Sequence, residues 1–178
     1  MTPSFRKFAL IVHVTASVGW IGVVVGYLVL VVAAIINQDA QTVRSVWIAL
    51  DLIGWFAIVP LSVVSLISGL IMSLGTKWGL FRHYWVTISL VLTILATIIL
   101  ALHMQTVSFF AGLAAIESAD IGVLRGGLQG ELLHAGIGLL VLLAIQVLNV
   151  YKPRGMTPYG WRKQNEQRIL RQPIELET

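Results

Sequence analysis

"FALIVHVTASVGWIGVVVGYLVLVVAAII", residues 8–36, contains no Asp, Glu, Lys or Arg. A helix of about 20 apolar residues crosses a hydrocarbon core of about 30 Å, so this stretch spans a membrane with turns to spare. It is far longer than the apolar region of a secretory signal peptide, and no clear cleavage site accompanies it. Three more stretches share its character. The four spans are expected near residues 7–36, 46–74, 83–110 and 130–151. The fold class that follows is all-α: an integral membrane four-helix bundle over residues 1–152, with a polar tail at 153–178.

Composition agrees. The 178 residues are 57% hydrophobic and 11% charged, with mean hydropathy +0.88. Soluble domains carry about 25% charged residues, so a soluble globular domain is excluded. The absence of cysteine removes disulfides, thiolate metal sites and thiol catalysis, and leaves the redox compartment open.

The twelve Lys and Arg residues sort by side. Arg6, Lys7, Lys77, Arg82 and six residues beyond position 151 fall on one side, and only Arg44 and Arg125 on the other. By the positive-inside rule both termini and the second connection are cytoplasmic. The pI of 9.8 then reports topology and contact with anionic lipid, with no nucleic-acid partner implied. Trp47, Trp78 and Trp85 stand near span ends, where an aromatic belt is expected. The longest connection is "AGLAAIESADIGVLRGGLQGE", residues 111–131. Its first half either continues the third span or forms a separate interfacial helix. Gly126, Gly127 and Gly130 are expected to mark the turn into the fourth span. The tail either lies as a short helix on the inner surface or is disordered.

At about 100° per residue each span has a small or polar stripe. Span 1 aligns His13, Ala16, Ser17, Trp20, Val24 and Tyr27; span 2 aligns Trp55, Ile58, Ser62, Ser65, Gly69 and Met72. Span 3 aligns Ser89, Ala96, Leu100 and His103 with Thr93 beside them, and span 4 aligns His134, Gly138, Val141, Ile145 and Leu148. Such stripes serve close helix packing or line a cavity. The cavity reading takes Trp20, Ser62, Ser65, Ser89, Thr93, Ala96 and Gly138 as lining.

Depth decides which of the four histidines meet. Counted from the cytoplasmic ends at 1.5 Å per residue, His103 stands about 27 Å up and His134 about 24 Å up. They are level, on consecutive antiparallel spans. His13 stands only about 8 Å up and cannot join them. His83 lies just before the third span beside Arg82, and is read as an interfacial histidine or as a partner of His13 at an inner site. Intramembrane ionisable residues are costly and are functional hypotheses by default. Imidazole ligates haem iron, copper and zinc, and facing helices of a bundle commonly hold such groups. The expectation is haem b between His103 and His134, with a second haem at His13 and His83; copper on the same histidines is the alternative. Glu131 and Asp51 are carboxylates that orient an imidazole, carry protons or cap helix ends.

"HVTASVGWIG", "LISGLIMSLGTKWGLFRHYWV", "LALHM" and "VYKPRGMTPYG" resemble an uncharacterised family of small bacterial four-helix integral membrane proteins, over most of the chain. More loosely, a histidine followed seven residues later by tryptophan resembles the membrane domain of the copper-resistance D family and the HemJ-type haem proteins. That resemblance implies haem or metal handling in a bacterial inner membrane, with His13 and Trp20 as the first-span His and Trp. The chain departs from the HemJ type in having no Arg or Lys after Trp20 on the first span.

Three functions follow as expectations. The first is a haem b protein with one or two haems, serving transmembrane electron transfer with quinol or another redox partner, or haem handling. The second is a copper or other metal transport or resistance protein, and the third a non-catalytic membrane subunit or scaffold, including a homo-oligomer. No Ser/His/Asp set, metalloprotease motif or phosphate-cradling glycine loop is present. A haem-dependent oxidoreductase is the one enzyme class the histidines would support.

Overall fold

The computed structural model describes residues 1–37, 39–76 and 79–170. Lys77, Trp78 and Arg171 lie outside the described residues. Four long helices dominate, and no β-strand occurs among the described residues. The first is α1 (Pro3–Asn37). The second span is continuous from Ala40 to Gly75 but is built from α2 (Ala40–Ile53), a π-helical turn (Gly54–Ile58) and α3 (Val59–Gly75). Then come α4 (Tyr84–Ala114), α5 (Ile121–Tyr151) and the short α6 (Pro158–Ile169). All four spans are long and apolar enough to cross a membrane, with mean hydropathies of 2.6, 2.2, 2.5 and 2.1. At 1.5 Å per residue they measure about 46–54 Å, so each overhangs a core of about 30 Å or tilts within it. Their outer surface is a coat of exposed Leu, Ile, Val and Phe, as lipid contact demands.

The start of α1, the described residues between α3 and α4, and α6 share one end of the bundle. Arg6, Lys7, Thr76 and Lys152 line one cavity there. The α1–α2 and α4–α5 connections occupy the opposite end. Asp39 caps α2 by accepting from the Thr42 amide at 2.8 Å and the Thr42 hydroxyl at 3.0 Å. Those hydrogen bonds hold its carboxyl below the usual range. Arg44, one of the two cations of that end, clamps the α4–α5 turn. Its guanidinium donates to the carbonyls of Ala114, Ile116, Glu117 and Ala119 at 2.6–3.2 Å. Of these, the Ala114 carbonyl is one left open at the C-terminus of α4.

The boundaries differ from expectation at this turn. α5 begins at Ile121, capped by Asp120 accepting from the Gly122 amide at 2.8 Å. Gly126, Gly127 and Gly130 are therefore inside the helix and mark no turn. Gly127 serves packing: a Cβ there would stand 2.7–2.9 Å from the Phe110 and Trp47 rings. The third span simply continues to Ala114. Trp47 and Trp85 are buried, so neither belongs to an aromatic belt. Trp47 stacks on Phe110 at 4.5 Å and donates its indole N–H to the Leu124 carbonyl at 3.0 Å.

The tail is tied down at the opposite end. The chain just before α4 meets the chain just before α6 at an isolated antiparallel bridge, His83–Met156. The Thr157 amide donates to the Arg82 carbonyl at 3.0 Å, and the Thr157 hydroxyl donates to the Phe81 carbonyl. Thr157 also caps α6 by accepting from the Gly160 amide at 3.0 Å. A Cβ on Gly160 would overlap the Arg82 carbonyl oxygen. Gly160→Ala is therefore expected to release α6. Limited proteolysis should cut the tail at least tenfold faster while helicity of the bundle is unchanged.

Candidate functional site

The inward stripes place two separate polar sites at different depths. α3 carries the first. Its buried residues are Ser62, Ser65, Ser68 and Ser73, and a wholly polar buried face inside lipid needs partners. α1 supplies them. The Ser17 hydroxyl donates to the His13 carbonyl at 2.7 Å, which leaves its oxygen to accept from the Ser65 hydroxyl at 2.9 Å. His13 Nδ1 lies 3.1 Å from both the Ser65 carbonyl and the Ser68 hydroxyl. The carbonyl only accepts, and Ser68 spends its own proton on Val64 O at 2.6 Å. Nδ1 must therefore carry the ring proton, which leaves Nε2 of the neutral imidazole with its lone pair. Gly69 makes room for the ring, since a Cβ there would stand 3.0 Å from His13 Cε1.

His13 lines a cavity of about 850 Å³ at the basic end, within the usual range of ligand pockets. Ser17, Ser65, Ser89, Thr93, Gln146 and Asn149 give it polar walls, and Leu10, Val14, Leu66 and Leu90 give it apolar ones. Arg6, Lys7 and Lys152 contribute positive charge, and among the described residues no carboxylate lines it. The Ser89 hydroxyl is buried without a hydrogen-bond partner, an uncommon state for a buried polar atom. Lys152 ends α5 at φ 46°, ψ 61°, a left-handed position usually given to glycine. A lysine held there places a charge at the cavity at some conformational cost.

The second site lies toward the other end. Glu131 is 3% exposed and projects from α5 into the core. Its Oε1 accepts from the Tyr27 hydroxyl at 2.8 Å and its Oε2 meets His103 Nε2 at 2.8 Å. The His103 ring stacks on the His134 ring with centroids 3.5 Å apart and planes 11° from parallel. If centred on a core of about 30 Å, Glu131 and His103 lie about 7–9 Å inside hydrocarbon. Two positive rings at that separation would repel by about 5 kcal/mol at an effective dielectric of about 20. Beside them Asp51 accepts from the Ser108 hydroxyl at 2.6 Å, and Ser108 accepts from the Trp55 indole at 2.9 Å.

Several expected placements change. Of the residues read as cavity lining, Ser65, Ser89 and Thr93 face the cavity. Trp20 and Ser62 are buried in packed helix contacts, Ala96 packs against the core, and Gly138 does not line the cavity. Trp55 leaves the inward stripe and is 41% exposed, because the π turn inserts a residue and rotates what precedes it. On α5 the buried face runs Leu128, Glu131, Ala135, Leu142 and Ile145, so His134 stands on its flank. His83 precedes α4 as its cap and is not among the cavity residues, so it does not join His13 there. Gln146 and Asn149 were missed. Their signal was two amides near the end of a span, one helical turn apart.

The two expected haem positions fare differently. A haem iron held by two imidazoles needs their nitrogens on opposite sides, at about 2 Å each. The stacked rings of His103 and His134 leave no such gap, so this pair does not fit a bis-histidine haem. Nor does any group of three or more His, Asp or Glu among the described residues suit a metal ion. His13 fits: its tautomer is set by a carbonyl, its Nε2 is available, and a cavity adjoins it. No family model, curated protein or solved structure matches the chain.

Hydrogen bonds to a charged acceptor contribute about 1.5–3 kcal/mol. Tyr27→Phe is expected to lower stability by about that amount, measured by reversible unfolding in mixed detergent micelles.

Proposed function

We propose that the chain is a multi-pass protein of a bacterial inner membrane that binds one haem b in the cavity at its basic, cytoplasmic end. The observation that carries this reading is His13, whose Nδ1–H is spent on the Ser65 carbonyl while the ring faces a cavity of about 850 Å³. That arrangement is how proteins orient a ligating imidazole. His13 Nε2 would hold the iron. Arg6, Lys7 and Lys152 would neutralise the two propionates, and Leu10, Val14, Leu66 and Leu90 would exclude water from the macrocycle. A bound haem b supplies reversible one-electron exchange at its iron. The resemblance to HemJ-type proteins points the same way.

Charge separates this reading from copper transport. Met72 reaches the same cavity, and a thioether with an imidazole would suit copper(I). A copper cation would nevertheless enter against the positive side chains of the described lining, Arg6 and Lys7 among them. A dianionic porphyrin is drawn in by the same field.

Protein expressed with ample haem is expected to show a Soret band in its reduced-minus-oxidised spectrum. His13→Ala should abolish the band, and His103→Ala and His134→Ala should leave it. A wild-type protein without the band, or an undiminished band in His13→Ala, overturns the reading. Lys152→Gly relieves the left-handed lysine and removes one charge. It is expected to hold or raise thermal stability by up to about 1 kcal/mol, while haem titration shows affinity reduced about tenfold.

A further inference from the structure

The haem reading leaves Tyr27, Glu131, His103 and His134 without a role. A carboxylate buried between spans is expensive, and a purely structural link between α1 and α4 needs none. A glutamine amide at 131 could accept from Tyr27 and His103 at far lower desolvation cost. What a carboxylate next to an imidazole can do, and an amide cannot, is bind and release a proton.

We infer that Glu131 and His103 form an exchangeable proton-binding site, in the half of the bundle away from the haem cavity. Glu131 Oε2 and His103 Nε2 are 2.8 Å apart, close enough for one proton to be held between them. Tyr27, itself only 3% exposed, fixes the other carboxylate oxygen at 2.8 Å. The site is shielded: the Glu131 side chain is 3% exposed and that of His103 19%.

The charges around the site define what uptake changes. The groups facing it are Tyr27 from α1, Asp51 from α2, His103 from α4 and His134 from α5 itself. Asp51 is engaged by Ser108. Among the described residues, the hydrogen-bond partners of Glu131 are Tyr27 and His103 alone, so no Lys or Arg locks the carboxylate in its ionised form. With both rings neutral the Glu131–His103–His134 cluster carries one negative charge. Uptake of one proton from solvent removes it, and release restores it. The stacking of His134 on His103 opposes a second proton on the rings, so the cluster loads one at a time.

Infrared difference spectroscopy of the full-length protein in nanodiscs, with buffer exchanged between acidic and alkaline pH, tests this directly. The expected spectrum contains a protonated-carboxyl band from a site shielded from solvent, titrating with pH. Glu131→Gln removes the band, Tyr27→Phe shifts its frequency, and His103→Phe moves its midpoint by about one pH unit or more. The band should persist in His13→Ala, so loss of haem and loss of this site are read independently. A difference spectrum identical in wild type and Glu131→Gln overturns the inference. If Glu131→Gln does not fold, protein labelled with carbon-13 glutamate replaces it. A labelled shielded band that Tyr27→Phe leaves unmoved then overturns the inference equally.

Discussion

One buried carboxylate sets the geometry of this bundle. Glu131 enters the core from α5, takes a hydrogen bond from Tyr27 on α1 and meets His103 on α4. In hydrocarbon an unpartnered carboxylate costs several kcal/mol, so the three helices must keep the rotation and height that bring these groups together. Apolar packing alone is weakly specific in lipid, because the tails are as apolar as the side chains. A polar cluster of fixed stoichiometry selects one arrangement from many. Leu128, Ala135, Val31 and Val107 are buried in the core of the same bundle.

The same logic applies to the other half of the molecule with a different chemistry. α3 turns serines inward and lets α1 satisfy them through Ser17 and His13. Because serine is small, this contact leaves volume unfilled, and the cavity at the basic end is the result. The π turn at Gly54–Ile58 joins these two regimes. It rotates α2 relative to α3, so that α2 packs Trp47 and Leu50 into the core while α3 presents hydroxyls. Gly54 also admits Met104, whose thioether occupies the space a Cβ would fill. The consequence is a bundle divided along its length, with a tight ionisable cluster at one end and an open polar cavity at the other.

Much of this division was legible in the residues. The buried stripe of α1, Ala16, Trp20, Val24 and Tyr27, follows directly from helical periodicity. The levelling of His103 with His134 follows from counting residues along antiparallel spans, and the two rings do meet. The clustering of Arg6, Lys7, Arg82 and Lys152 at one end follows from the order of spans. Other features had no one-dimensional signal. A π turn adds a residue without any marker in "GWFAI", so Trp55 fell on the wrong face. "GGLQGE" carries the composition of a turn, yet α5 runs through it because Phe110 and Trp47 need the space that Gly127 leaves. The pairing of Arg82 with Thr157 across 75 residues could not be read locally either.

By itself the sequence determined the number of spans, their order and the side on which charge gathers, because these depend on transfer to lipid, a property summed residue by residue. It also determined that a few ionisable groups must find partners within the membrane. Which partners they found was decided only by the tertiary structure. Hydrogen bonds and ring stacking act over about 3–4 Å, and a helix rotation of one residue moves a side chain by about 100°. The small rotation that buried Glu131 put His134 against His103 rather than across a cofactor from it. It also left His13, not the level pair, facing the open cavity.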